Sequence, residues 1–186
     1  MLTPNGLIEE GRVTESHESY GHLFRVRTFG DPVLKQESRE VTEFGPELKA
    51  LVQKMLRMME AEEGVGLAAP QIGIQAKILV WQDPEGEDGG ALANPCIVDR
   101  SDDEEEDTEG CLSVPGYSMT VPRALRIRVE GQNVEGESVV VEVEGLKARI
   151  LQHEIDHLEG RLILDRTSAD ERHRVLRDMR ERSLRT

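Results

Sequence analysis

Two histidines four residues apart, His153 and His157, stand in a stretch rich in apolar residues and constrain this chain more than any other feature. At a helical period their side chains lie on one face about one turn apart, so both imidazoles can reach one point in space. Glu154 lies beside the first of them, close enough to exchange a proton with water held at that point. Ile150, His153, Glu154 and His157 share one face, while Leu151, Ile155 and Leu158 form another. A surface helix needs only one apolar stripe. A helix with both faces committed belongs at the centre of a domain, which argues against two ordinary histidines on an outer helix. Gly145 opens the predicted helix, and Gly160 is placed to stop it.

The rest of the chain supplies elements to surround it. Leu48, Leu51, Val52, Met55, Leu56 and Met59 recur at helical spacing between Gly45-Pro46 and Gly64, which predicts a first long helix. Alternation predicts a short strand over residues 24–29, others over 76–81 and 91–98, and β structure through Val121, Leu125, Ile127, Val129 and residues 139–143. Residues 82–90 form a polar loop, and 101–109 are almost purely acidic, which predicts a solvated loop. Ser168-Ala-Asp-Glu171 has capping-box spacing and begins a last, Arg-rich helix. The expected fold is α+β, with short antiparallel strands around a central HExxH helix, a helix in the N-terminal half and a C-terminal helix. Residues 1–22 form a polar arm without period, 23–165 one domain, and 166–186 the Arg-rich end.

Charge narrows the partners. The chain of 186 residues carries a net charge of −14, which repels phosphate backbones and argues against direct DNA binding. From Arg166 onward seven arginines face four acids (+3), leaving −17 for residues 1–165. A basic end on an acidic body is either a solvated helix or a contact for something acidic. No run of about 18 apolar residues is present to span a membrane. The first 20 residues hold four glutamates against Arg12, unlike a secretory or organellar leader. A cytoplasmic location is expected.

Two histidines leave a metal site incomplete. Downstream, Glu159, Asp165, Asp170, Glu171, His173, Asp178 and Glu181 are available; upstream, Cys111 stands in Glu109-Gly-Cys-Leu-Ser113. Its thiolate would be a strong ligand, and Gly110 would let another chain approach closely. A lone cysteine is more often a small buried hydrophobe, the role expected of Cys96. A third segment, GVGLAAPQ over residues 64–71, lacks the Lys-Ser/Thr of a phosphate loop.

Taken together and in this order, GVGLAAPQ, EGCLS and QHEIDH resemble the three signature motifs of the peptide deformylase family. Residues 27–34 (RTFGDPVL), Asn94-Pro95 and Val121-Pro-Arg123 agree with the resemblance, which runs from about residue 24 to 164 and makes 23–165 the catalytic domain. It implies that Cys111, His153 and His157 bind one divalent metal ion, natively Fe2+, with Zn2+, Ni2+ or Co2+ able to replace it. It implies Glu154 as general base, with the Gln71 amide and the Leu112 backbone N–H facing charge that builds on the formyl oxygen. N-formyl-methionyl peptides would lie extended between Val65-Gly66 and Gly110, with the methionine against the helix around Arg149, Ile150 and His153. Outside the resemblance, the charge reversal at Arg166 carries the expectation that the Arg-rich end contacts the ribosome. Three rivals remain: an HExxH endopeptidase, a metal-dependent peptide binder without turnover, and a structural zinc protein. Gln71 and Cys111 speak against the first, Glu154 against the second, and the third needs a fourth protein ligand.

Overall fold

A computed structural model of the chain describes residues 25–84 and 89–184; the polar arm expected over residues 1–22 lies outside them. Three α-helices and seven strands follow one another as α1 (Pro46–Ala61), β1 (Gly66–Ala68), β2 (Ile78–Gln82), β3 (Gly89–Arg100), β4 (Glu104–Gly110), β5 (Ser118–Ala124), β6 (Arg126–Gln132), β7 (Ser138–Glu144), α2 (Gly145–Leu158) and α3 (Ala169–Ser183). All strand pairs are antiparallel. Five strands form one sheet in the order β1-β2-β3-β6-β7, and β4 pairs with β5 in a separate two-stranded sheet. The α+β expectation holds.

Strand alternation sends successive side chains to opposite faces, and each face takes a helix. Leu67, Ile78 and Val80 pack against Leu48, Val52, Met55 and Met59 of α1. Their neighbours Ala68 and Leu79, joined by Leu92, Ile127 and Val129, pack against Ala148, Leu151, Ile155 and Leu158 of α2. Burying one such aliphatic side chain contributes about 1.5–3 kcal/mol, so these two layers fix α2 against the sheet. The face that carries His153 and His157 is thereby turned toward β1 and the β4–β5 hairpin. A third cluster, Leu34, Val114, Met119, Val121, Leu162, Ile163, Leu164 and Val175, ties that hairpin and α3 to the body.

The ends of the helices follow their local chemistry. Pro46 occupies the first turn of α1 after Gly45, and Ser168 caps α3 by accepting from the Glu171 backbone N–H. Gly160 ends α2 at φ +72°, and a β-carbon there would lie 2.9 Å from the Lys35 backbone. No described helix is long and apolar enough to cross a membrane.

Three local expectations change. The acidic run is a strand: every residue of Glu104–Gly110 pairs with β5, with Glu104–Asp107 exposed on the ribbon and Glu109 buried. Residues 64–71, for which no element was predicted, hold two: Gly66–Ala68 pair with β2 and Ala69–Ile72 form a 3-10 turn. Residues 25–28 form no strand; that segment is tied down by backbone bonds from Arg27 N–H to the Gln71 carbonyl (2.6 Å) and from Phe29 N–H to the Ser113 carbonyl (2.7 Å). Hydrophobic patterning cannot distinguish such ties from a sheet ladder.

Candidate active site

α2 brings the HExxH residues to the floor of a cleft of about 610 Å³. His157 and Glu154 are buried, at 1% and 4% exposure, and His153 is partly buried. The two Nε2 atoms stand 3.2 Å apart, with the rings inclined at 70°. From the end of the β4–β5 hairpin, Cys111 places Sγ 3.3 Å from His157 Nε2. One donor atom from each of the three residues lies within 4.8 Å of the others.

These spacings fit the edges of a coordination polyhedron. Two nitrogens about 2.0–2.1 Å from a shared tetrahedral ion stand about 3.3 Å apart, and a nitrogen and a sulfur about 3.6 Å. The charge environment fits as well. Burial pulls His153 down, but Cys111 and Glu109 outweigh it and hold the ring well above the ordinary imidazole range. Burial and the charge of His153 hold His157 well below that range, in the neutral form that ligates.

Glu154 stands apart from the three donors. Its Oε2 is buried without a hydrogen-bond partner among the described residues, and burial pushes its pKa up to about 7. Gly66 faces it across the cleft. A β-carbon at Gly66 would lie 2.3 Å from Glu154 Oε1, so glycine there makes room for the carboxylate.

The 3-10 turn after β1 delivers Gln71, only 1% exposed. The Ala68 N–H donates to Gln71 Oε1 at 2.7 Å, which turns the amide nitrogen toward Ser113 Oγ (3.3 Å) and Cys111 Sγ (4.0 Å). Val65, Gly66, Gln71, Gly110, Cys111, Leu112, Arg149, Ile150, His153 and Glu154 all line the one cleft; His157 is buried behind this lining, 3.3 Å from Cys111 Sγ. Arg149 lines it with its stem, because its guanidinium is spent on Glu109 and the backbone carbonyls of Val121 and Glu105. Cys96 is a correction. It is exposed on β3, at the register shift that follows Asn94 and Pro95, and is not the buried hydrophobe expected.

Comparison with known proteins settles the family. Residues 23–173 match the family model described as polypeptide deformylase. The chain belongs to that family. A peptide deformylase from Thermotoga neapolitana is 45% identical over 144 residues, which cover 77% of this chain and 87% of the relative. The crystal structure of the deformylase from Thermus thermophilus superposes with a TM-score of 0.80 at 44% identity, covering 86% of this chain and 95% of that one. A deformylase from Synechococcus elongatus, solved in complex with actinonin, superposes with a TM-score of 0.80 at 35% identity, covering 84% of this chain and 87% of that one.

In this deformylase chain, sequence reasoning passed over the groups behind the donors. Glu109 (6% exposed) takes two bonds from Arg123 (2.8 and 2.9 Å) and one from Arg149 (2.8 Å), and faces His153 Nδ1 at 3.0 Å. Burial alone would raise its pKa, but Arg123 and His153 hold it at about 2. Breaking such a buried pair strands a charge at a cost of about 3–5 kcal/mol. No period in the sequence marks Glu109, because its partners lie 14 to 44 residues away. Ser113 was missed because its partner, Gln71, is 42 residues distant.

Proposed function

We propose that this chain removes the formyl group from N-formyl-methionyl peptides and releases formate, with Cys111, His153 and His157 holding one divalent ion. The observation that carries the assignment is convergence. A thiol and two imidazoles at ligand spacing meet beside one cleft with a pinned carboxamide and a carboxylate whose Oε2 is buried without a partner among the described residues. A donor set of one thiolate and two imidazoles suits Fe2+, Zn2+, Ni2+ or Co2+; the native ion is assigned as ferrous on family resemblance. When bound, the ion supplies Lewis-acid activation of water near neutral pH.

Glu154 takes the proton of the attacking water and returns it to the departing amine as the formyl C–N bond breaks. The Gln71 amide and the Leu112 backbone N–H are assigned to the charge that grows on the formyl oxygen. Two open sheet edges support the assigned path of the peptide. β1 ends the five-stranded sheet and β4 ends the hairpin sheet, and both Gly66 and Gly110 line the cleft. An extended substrate would join the two as an added strand, recognised by its backbone. Leu146, Ile150 and the Arg149 stem form the wall assigned to the methionine side chain.

The test is formate release from formyl-Met-Ala-Ser alongside metal content. Gln71→Ala should keep the ion and lose about two to three orders of magnitude in turnover, the usual contribution of one oxyanion donor. Full occupancy without formate release by the unaltered chain would leave only a peptide binder.

We also propose that α3 contacts the ribosome through its arginines. Val175, Leu176 and Met179 belong to the third core cluster, so truncation at residue 166 would strip the core as well as the charge. Reversing the exposed Arg177 and Arg180 to Glu is the cleaner test. Cosedimentation with ribosomes should weaken in the double variant and fall steeply with salt in the unaltered chain. Equal binding by both in low salt would refute the contact.

A further inference from the structure

From His153 a line of charged groups runs through Glu109, which also lines the cleft, and then back through the body to the surface. His153 Nδ1 faces Glu109 Oε2 at 3.0 Å, and Glu109 takes Arg123 Nε and Nη2 at 2.8 and 2.9 Å. Arg123 Nη1 donates to Asp156 Oδ2 at 2.5 Å. Asp156 then accepts from Arg166 Nη2 (2.5 Å) and Nε (3.0 Å). The side chains of Glu109, Arg123 and Asp156 are only 5–6% exposed, whereas that of Arg166 is 32% exposed. We propose that Asp156 and Arg166 are positioning residues for His153, acting through Arg123 and Glu109. The proposal rests on His153 being a metal ligand.

Each link constrains the next. A carboxylate on the second nitrogen of a ligating imidazole fixes its tautomer and the plane of its ring. Both oxygens of Glu109 are occupied, Oε1 by Arg123 and Arg149 and Oε2 by Arg123 and His153, so Arg123 sets where Glu109 lies. The planar fork of Arg123 is shared between two carboxylates, Glu109 on β4 and Asp156 on α2. Asp156 stands three residues after His153, so α2 presents the ligand and the far anchor of its own support from one rigid element. Arg166 grips Asp156 from the segment that follows the 3-10 turn Ile163–Asp165. Neither Asp156 nor Arg166 lines the cleft, so their effect on the reaction passes through the ligand.

A purely electrostatic role makes the opposite prediction for one variant. Arg166→Gln removes a positive charge near a cation site, and Coulomb attraction alone would then tighten cation binding. Loss of positioning loosens it. Because Arg166 is one-third exposed, its replacement leaves the buried Arg123–Glu109 pair in place and the chain folded, which thermal unfolding verifies. The experiment titrates Co2+ into the metal-free full-length chain, unaltered and as Arg166→Gln, Arg166→Lys and Asp156→Asn. Affinity, the visible cobalt–thiolate absorption and formyl-Met-Ala-Ser kinetics are read together. Arg166→Gln should bind Co2+ about ten- to a hundredfold more weakly, with a shifted spectrum, a lower kcat and a KM within about twofold of the unaltered value. Arg166→Lys, which keeps the charge without the fork, should fall between, and Asp156→Asn should lose at least as much as Arg166→Gln. An Arg166→Gln chain that binds Co2+ as tightly as the unaltered one or more tightly, with the same spectrum, would overturn the positioning role alone. An unaltered chain that binds no Co2+ would overturn the ligand assignment and this proposal with it.

Discussion

Glu154→Ala is expected to keep one divalent ion per chain while formate release falls by about two to four orders of magnitude, the usual contribution of a positioned acid–base group. The three donors converge without Glu154, so its loss does not open the metal site. Its effect on stability should run the other way. Glu154 Oε2 is buried without a partner among the described residues, and burial pushes the carboxyl up to about 7. Such a group destabilises the fold it sits in, because its desolvation goes uncompensated. The variant should therefore melt no earlier than the unaltered chain, trading activity for stability. The pH dependence follows from the same carboxyl: once protonated it cannot accept a proton, so turnover should fall as pH drops through its pKa. A bound cation favours the ionised form and should set that fall below pH 7. Metal stoichiometry, melting temperature and formate release on one preparation check all three. Loss of the ion in Glu154→Ala, or near-normal turnover with the ion retained, would refute the assignment of the base.

The second large effect is expected at Cys111. Its Sγ stands 3.3 Å from His157 Nε2, and a serine hydroxyl there would be neutral and a far poorer ligand than a thiolate. Cys111→Ser should lower occupancy at least tenfold under conditions that saturate the unaltered chain. His153→Ala and His157→Ala should do the same by removing a donor. Cys96→Ser is the control, since Cys96 is exposed on β3 and lines no part of the cleft. Elemental analysis of the two serine variants after identical loading decides the matter. Equal losses from both would mean that the thiol ligand has been misassigned.

Sequence and structure agree where one residue pattern answers to one physical cause. α2 was legible because its two faces carry different chemistry, and its end because Gly160 supplies a left-handed residue. α1 and α3 were legible through period and caps. In the five-stranded sheet β2 carries apolar residues on both faces, one toward each helix, while β6 and β7 alternate apolar residues with exposed polar ones, and both patterns stand out in the sequence. β4 was not legible. Its stability comes from the ladder to β5 and from Glu109 turned inward onto arginines, and neither contributes an apolar signal. β1 was obscured for a different reason: it has only three residues, and its glycine answers to a carboxylate 88 residues further along. The cleft-lining residues could be named because three motifs converge on it. The groups that support them from behind could not, because Arg123, Asp156 and Ser113 act through partners distant in the chain.

Open sheet edges carry a risk that this molecule meets with charge. An unpaired strand edge is a template for another copy of itself, and exposed edges seed aggregation. β1 limits that risk by being short. β4 is longer, but its exposed side chains include Glu104, Glu105, Glu106 and Asp107. Two copies meeting along β4 would set rows of carboxylates against each other, and like charges on paired strands are destabilising. A short extended peptide with few acids meets much less of that repulsion, so the same edge remains available to it. The acidic run thus disfavours self-pairing along an edge that is left open, and neutralising those four residues should promote self-association.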